Sequence, residues 1–480
     1  MSSSYPFWIA GQSASSDLTV DVLHPADSHV VASHYVPSLA DVENAVSSAH
    51  AARLPMQRTS AAARAQALMH VSSRLQERFE EMSQIIVEEG GKPLMWARVE
   101  VTRAINTFRW AAEEARRSGG EIQRLDTEAT TEGRMGLIRR FPRGVVLGIA
   151  PFNFPLNLIA HKVAPAIAVG APIIIKPAPA TPLCALILGE ILAETDLPAG
   201  SWSVLPVDNA NAQQLVLDPR LSVVSFTGSD KVGMHIQELV PHKHVTLELG
   251  GNAAAVVLSD WSSEGDLEWA ATRIATFGHS QAGQSCISVQ RVMIHADIYD
   301  DLTARIVSKT AALPNGDPHD AQVVVGPLIN EAAAIRVESW IDEAVRGGAK
   351  LLTGGHRDGA FIEPTVITEV ASSAQLVCGE VFGPVIVLSK FDTVAEVFAQ
   401  VNDSDFGLQV GVFTHSLETA FSAHANLDVG GVIIGDVPAF RSDQMPYGGV
   451  KASGVGKEGV RFAMEDLTHE RILVLSGIEI

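Results

Sequence analysis

The sequence predicts an α/β fold, with parallel sheets in two successive lobes preceded by a helical segment. Three observations carry this. Short apolar runs alternate with helical stretches from about 145 to 250. The alternation resumes after Ala253. A long helical pattern precedes both, from about 38 to 119. Strands that alternate with helices form parallel sheets with right-handed crossovers. Such sheets bind ligands beyond the carboxyl ends of their strands. At ~150 residues per domain, 480 residues make roughly three lobes.

Each element has its own signal. The Ser-rich start (Ser2 to Ser4, Ser13, Ser15, Ser16) reads as a loose terminus. Segments such as SLADVENAVSSAHAARL carry apolar residues three and four apart, the helical period, and Gly90-Gly91 supplies a stop. Residues 145–150 form an apolar run short enough for a buried strand, 156–169 read as a helix and 172–175 as a strand. Residues 181–195 read as a helix with Thr181 as N-cap and Pro182 in its first turn. Strands at 203–207, 223–228 and 245–249 alternate with helices at 210–217 and 231–239. In the second lobe AAAVVLS, SVQRVMIH, VITEV, PVIVLSKF and QVGVFTH are strand-like, with helices such as 267–280 and 332–347 between them. Two pieces lie outside both lobes, 122–141 and the terminal ILVLSGIEI. Each is either an exposed ribbon that pairs with another subunit or a sheet-edge strand within the monomer.

Composition bounds the function. With 46% hydrophobic and 19% charged residues, the chain is an ordinary globular one. A net charge of 35 − 55 = −20 argues against a nucleic-acid partner and against attachment to anionic membranes. Anionic small molecules stay open, because a pocket can be locally basic. Cys184, Cys286 and Cys378 are too few and too scattered for a disulfide framework or a Cys-rich metal centre, so no metal is expected. No signal-peptide pattern opens the chain, and the longest nearly apolar stretch, 163–175, is too short to span a membrane. The expected setting is the cytoplasm.

Several residues could carry chemistry. Cys286 sits on a Gly-bearing turn between a helix and a strand-like run, as a small buried residue or as a presented nucleophile. Cys184 and Cys378 read as structural. Glu248 lies in an apolar strand followed by two glycines, where burial would raise its pKa and suit it to general-base work. A solvent-facing strand end is the alternative. Asn153, in Pro151-Phe152-Asn153-Phe154-Pro155, is either a turn residue or an amide fixed to donate to an oxyanion. Lys176 ends a strand, solvated or serving a ribose or phosphate. Gly228-Ser229-Asp230-Lys231-Val232-Gly233 follows a strand and opens a helix, the context for a pyrophosphate at a helix N-terminus. The G-x-G-x-x-G spacing at 454–459 follows a loop and is read as a coincidence.

Together these segments resemble the aldehyde dehydrogenase superfamily, of the non-phosphorylating, NAD(P)-dependent kind. PFNFP (151–155), IIKPA (174–178), FTGS (226–229), ELGG (248–251), GQSCI (283–287), EVFGP (380–384) and PYGGVKASG (446–454) appear in the family's order across essentially the whole chain. The resemblance implies a Rossmann-like parallel-sheet cofactor domain (1–122 and 144–250), an α/β catalytic domain (251–451) and a small β bridging ribbon (123–143 and 468–480). It implies a homodimer or homotetramer. It implies Cys286 as the nucleophile that forms a thiohemiacetal and then a thioester, Asn153 as oxyanion donor, and Glu248 as the base that activates water. Lys176, Gly228, Ser229, Gly233, Glu380, Phe382, Phe152 and Pro151 would hold NAD or NADP. Glu248 favours hydrolysis over transfer to CoA. Pro179 stands where NAD-preferring relatives often carry a Glu, which leaves NADP open. The alternatives are a semialdehyde-specific or CoA-acylating dehydrogenase, and a catalytically silent NAD(P)-binding relative.

The segments around Asn153, Cys286 and PYGGVK look closest to the lactaldehyde and phosphonoacetaldehyde dehydrogenase branches, which implies a small polar or anionic aldehyde. Arg441, Arg291, His161, Arg103 and Arg109 lie near these blocks in sequence or on the preceding helical stretch. They are expected either to form a cationic mouth or to be surface and structural charges.

Overall fold

A computed structural model describes residues 4–477. Its first sheet has five parallel central strands, Val145–Ile149, Ile173–Lys176, Trp202–Val204, Leu221–Thr227 and His244–Glu248. Their side chains are almost all buried, as expected where helices cover both faces. Short antiparallel strands close the edges: Gly454–Val455 on one side, Phe7–Ile9 and Gln12–Ala14 on the other. From Ser4 onward the start is therefore not loose, and Ser2 and Ser3 lie outside the described residues. Ser4–Tyr5 pairs with Val30–Tyr35, and Ser13 sits in an edge strand.

The second sheet has six parallel strands in the order Thr365–Thr368, Val385–Phe391, Arg291–His295, Ala254–Val257, Gln409–Phe413 and Gly431–Ile434, with Lys350–Thr353 antiparallel at one edge. Each sheet has its own apolar core. The helix Val460–Asp466 returns to the first core, through Val460 and Met464. The third element is an antiparallel ribbon in which Arg134–Pro142 lies between Gly120–Arg124 and Thr468–Ser476. Both leftover pieces thus pair within one chain, and residues 478–480 of the expected ribbon lie outside the described residues. Among the described residues no helix is long and apolar enough to cross a membrane.

Two helix starts are capped from a distance. The helix Leu183–Ala193 has no side-chain cap of its own, contrary to the expectation for Thr181. The buried Glu89 carboxylate accepts from Leu183 N at 2.6 Å and Cys184 N at 3.1 Å instead. Proline at 182 offers no N–H, so the carboxylate takes the next two donors. In the same way Glu100, on the helix Leu94–Arg117, accepts from Leu156 N at 2.9 Å and Asn157 N at 3.1 Å. Those donors open the helix Asn157–Val169. Glu100 is fully buried and paired with Lys92, whose ammonium lies 3.7 Å from the centre of the Phe154 ring. This packs the loop that carries Asn153.

Replacing Glu100 with Ala should therefore strand a buried ammonium and two buried N–H groups. We expect a loss of about 3–5 kcal/mol, read as a lower urea midpoint, with Glu100→Gln losing less.

Candidate active site

A cavity of about 1220 Å³ opens at the carboxyl ends of the first sheet and reaches the second. Asn153, Lys176, Ser229, Glu248, Cys286 and Phe382 all line it. The sequence scatters these residues, and the fold brings them to one cleft.

The Cys286 loop is built by an unusual backbone. After the helix Glu264–His279, Gln281, Ala282 and Gly283 take φ of 50°, 57° and 67°. Two successive non-glycine residues in this left-handed region cost energy and persist only when their surroundings hold them. Gln281 is held by its own amide, which donates to the carbonyls of Asn153 and Gln284, each at 2.9 Å. The Asn153 amide donates to Gln284 O at 3.0 Å. Gln284 in turn accepts from Ile329 N at 2.9 Å through Oε1. A Cβ at Gly283 would collide with the Gly383 carbonyl, so that position requires glycine.

Cys286 Sγ lies 2.9 Å from the Tyr447 hydroxyl. The Arg441 guanidinium stacks on that same ring at 3.7 Å. Burial pushes the Cys286 thiol up to about 11, against the opposing pull of the Tyr447 bond and the Arg441 charge. Glu248, at the end of its strand, is buried and both carboxyl oxygens lack a partner. Burial, with Glu458 nearby, raises its carboxyl well above the ordinary range. Glu458 behaves in the opposite sense. Burial opposes its ionisation, but Lys162 and Arg441 outweigh it and keep Glu458 a carboxylate. Lys162 Nζ bonds Thr227 Oγ1 at 2.7 Å and lies 3.4 Å from Glu458, while Arg441 donates to Glu458 at 2.9 Å.

The other end of the cleft is a cradle for a larger ligand. Ser229 caps the helix Asp230–Leu239, whose first turn lines the cavity. A Cβ at Gly233 would collide with Leu249, so glycine lets this helix approach the strand end. Lys176 bonds Asn209 at 2.9 Å, and burial lowers its ammonium to about 8. Glu380 accepts from Gly251 N at 2.9 Å. Phe382, at φ 46°, meets Phe152 edge-on at 5.8 Å. Pro151, Phe152, Gly228 and Pro179 line the same wall.

The expected cationic mouth is only partly assembled. Arg441 and Arg103 line the cavity. Arg103 is paired with Asp443 at 2.8 Å. Arg291 does not line it: its buried guanidinium donates to the backbone carbonyls of Asn252, Gln400 and Val401. Sitting within a central parallel strand, it is a structural charge. His161 is buried behind the wall and bonded to Asp443 at 2.9 Å. Arg109 pairs with Glu113 on the outer face of its helix. Cys184 is buried as expected, whereas Cys378 is exposed and lines the cavity. Four residues of the site escaped the sequence reading: Tyr447, Gln281, Lys162 and Glu458. Tyr447 lay within the quoted PYGGVK block, and Glu458 within the G-x-G-x-x-G coincidence.

Residues 8–473 match the family model described as "Aldehyde dehydrogenase family". The chain is 41% identical over 474 residues to the 3-sulfolactaldehyde dehydrogenase of Priestia aryabhattai, covering 98% of each chain. Aldehyde dehydrogenase 21 of Physcomitrella patens, solved with its reaction product succinate, superposes with a TM-score of 0.97 at 42% identity, covering 100% of this chain and 99% of that one. The glyceraldehyde-3-phosphate dehydrogenase of Methanocaldococcus jannaschii, solved with NADP, gives 0.90 at 34% identity, over 95% of this chain and 99% of the other. With a family model spanning nearly its whole length and these likenesses, the chain belongs to the aldehyde dehydrogenase family.

Proposed function

We propose that this protein oxidises a small anionic aldehyde to the carboxylic acid, with NAD(P)+ and water, through Cys286. The observation that carries the proposal is the buried Arg441 guanidinium, stacked on the ring whose hydroxyl meets Cys286 Sγ. It puts a fixed cation beside the nucleophile, and its Nε has no protein partner. The relatives act on, or are solved with, small acids and aldehydes of this kind: sulfolactaldehyde for one, succinate for another.

The residues fit a nicotinamide dinucleotide. The capped start of helix Asp230–Leu239 suits the pyrophosphate, Lys176 a ribose, and Glu380 with Phe382 the nicotinamide end. With Pro179 in place of a carboxylate, nothing at that position repels a 2′-phosphate, so NAD and NADP are both accommodated. When bound, the dinucleotide supplies a hydride acceptor.

The chain's own groups do the rest. Cys286 loses its proton and adds to the aldehyde carbon, giving a thiohemiacetal. The Tyr447 hydroxyl, 2.9 Å from Sγ, stabilises the thiolate. Asn153 Nδ2 and the Cys286 N–H stabilise the oxyanion. Loss of hydride leaves a thioester on Sγ. Glu248, with both oxygens free, takes a proton from water as the hydroxide adds to the thioester carbon. The C–S bond then breaks and releases the acid. The same reading assigns 1–122 and 144–250 to the cofactor domain and 251–451 to the catalytic domain. It also makes the ribbon, with Ile122, Leu473 and Val474 exposed, the face that joins a homodimer or homotetramer.

The test is reduction of NAD+ and NADP+ against lactaldehyde, glycolaldehyde, succinic semialdehyde, 3-sulfolactaldehyde and hexanal, without CoA. The anionic members should give the highest kcat/KM. Cys286→Ala should abolish turnover and spare dinucleotide binding. Arg441→Gln should raise KM for anionic aldehydes about tenfold or more, equivalent to ~1.4 kcal/mol, and leave hexanal little changed. Equal KM changes for charged and neutral aldehydes would exclude the anion role.

The pH dependence has a fixed sign. Both Cys286 and Glu248 are raised by burial, and each acts after losing its proton. The rate should therefore rise with pH through the neutral range into the alkaline one. A profile that falls over that range would contradict the assignment of both roles.

A further inference from the structure

Arg103, Arg273, Arg336 and Arg441 line the cleft. Three of them are already matched by protein carboxylates. Arg103 pairs with Asp443 at 2.8 Å, Arg273 with Asp436 at 2.6 Å and Arg441 with Glu458 at 2.9 Å. Arg336 differs. It stands half-buried on the helix Glu331–Arg346 and forms no ion pair among the described residues. Its Nη2 donates to a neutral group, Val381 O, at 2.6 Å, and its guanidinium lies over the Trp340 ring, 4.8 Å from the centre. The Val381 bond leaves the other N–H groups of the fork unspent among the described residues. Burial lowers the pKa of Arg336, against the pull of Glu380, yet a guanidinium stays charged. An unmatched cation kept in a cleft, in a chain of net charge −20, is what a site for an anion requires.

The surroundings select the anion. The Ser229-capped start of helix Asp230–Leu239 packs on the strand end at Leu249, where a Cβ at Gly233 would lie 2.3 Å from that side chain. The next residue packs on Glu380, because a Cβ at Gly250 would lie 2.4 Å from its carboxylate. Helix start, strand end and Glu380 therefore form one contiguous wall. Burial raises the Glu380 carboxyl to about 7, and the bond from Gly251 N opposes that rise. Glu380 also feels the charges of both Asp230 and Arg336. The free guanidinium thus shares its neighbour with the helix start whose backbone N–H groups suit a pyrophosphate.

We propose that Arg336 binds the pyrophosphate of the dinucleotide, adding a charged fork to the backbone donors of the Ser229-capped helix start. This rests on the reading of the cleft as an NAD(P) site. A fork of this kind recognises phosphate oxygens with direction as well as charge. The same side chain holds Val381 O, between Glu380 and the left-handed Phe382 at φ 46°. Arg336 would therefore join the pyrophosphate to the turn that meets the nicotinamide end.

The competing account makes Arg336 only a brace for that turn. Calorimetric titration of full-length wild-type and Arg336→Gln protein separates the two. The probes are NADH or NADPH, whichever the wild type binds more tightly, then ADP-ribose (or its 2′-phosphate, to match) and adenosine. ADP-ribose keeps the pyrophosphate and lacks nicotinamide, and adenosine lacks both. The proposal expects Arg336→Gln to weaken the dinucleotide and ADP-ribose alike, by about tenfold or ~1.4 kcal/mol, and to leave adenosine unchanged. Arg336→Lys, which keeps the charge without the fork, should recover part of the loss. If Arg336→Gln misfolds, Arg336→Met, whose stem still packs on Trp340, replaces it with the same expectations. Loss confined to the reduced dinucleotide, with ADP-ribose bound as in wild type, overturns the proposal in favour of the brace. Unchanged binding of both ligands overturns it, as does an equal loss for adenosine. Wild-type protein that binds neither the dinucleotide nor ADP-ribose would refute the underlying NAD(P) reading itself.

Discussion

The chemistry of this protein depends on a short hydrogen-bond stitch between two loops that belong to different sheets. Gln281 donates to the carbonyls of Asn153 and Gln284, and Asn153 donates back to Gln284. These bonds hold Gln281 and Ala282 in a left-handed conformation that neither residue adopts readily. They also hold the Asn153 amide close to the turn that presents Cys286. Without the stitch, the first sheet would carry an amide and the second a thiol, with nothing to fix the distance between them. Glu100 and Lys92 secure the Asn153 side of the joint from behind, and Gln284 secures the cysteine side through Pro327 and Ile329.

Burial sets the resting protonation of the site. It lifts the Cys286 thiol and the Glu248 carboxyl, so both hold their protons when the cleft is quiet. One charge is kept nearby in spite of burial, because Glu458 sits between Lys162 and Arg441. The outcome is a neutral thiol and carboxyl, the two groups proposed to react, beside a fixed ion cluster. An anionic aldehyde that meets Arg441 would compete with Glu458 for the guanidinium. That competition couples substrate charge to the field around Glu248.

Much of this was legible in the sequence, for identifiable reasons. The central strands are apolar on both faces, so their runs stood out, and the glycine-flanked Cys286, Glu248 and Ser229 carried their own contexts. The cap of helix Leu183–Ala193 was misread because its partner, Glu89, is remote in sequence. Arg291 was misplaced for a related reason. A charge next to a catalytic loop in sequence can be buried in a strand and used up on backbone carbonyls, as it is here. Tyr447 and Glu458 reach the site from the last part of the chain, through the small strand that pairs Gly454 with Glu248. No local pattern reports such a pairing.

The central claim is that an acyl group passes through Cys286 and is released by Glu248. Mass spectrometry of Glu248→Gln protein, after incubation with NADP+ or NAD+ and an anionic aldehyde, tests it directly. The account predicts about one equivalent of reduced dinucleotide and an acyl adduct that maps to Cys286. Repeated turnover with no adduct, or an adduct on another residue, would contradict it.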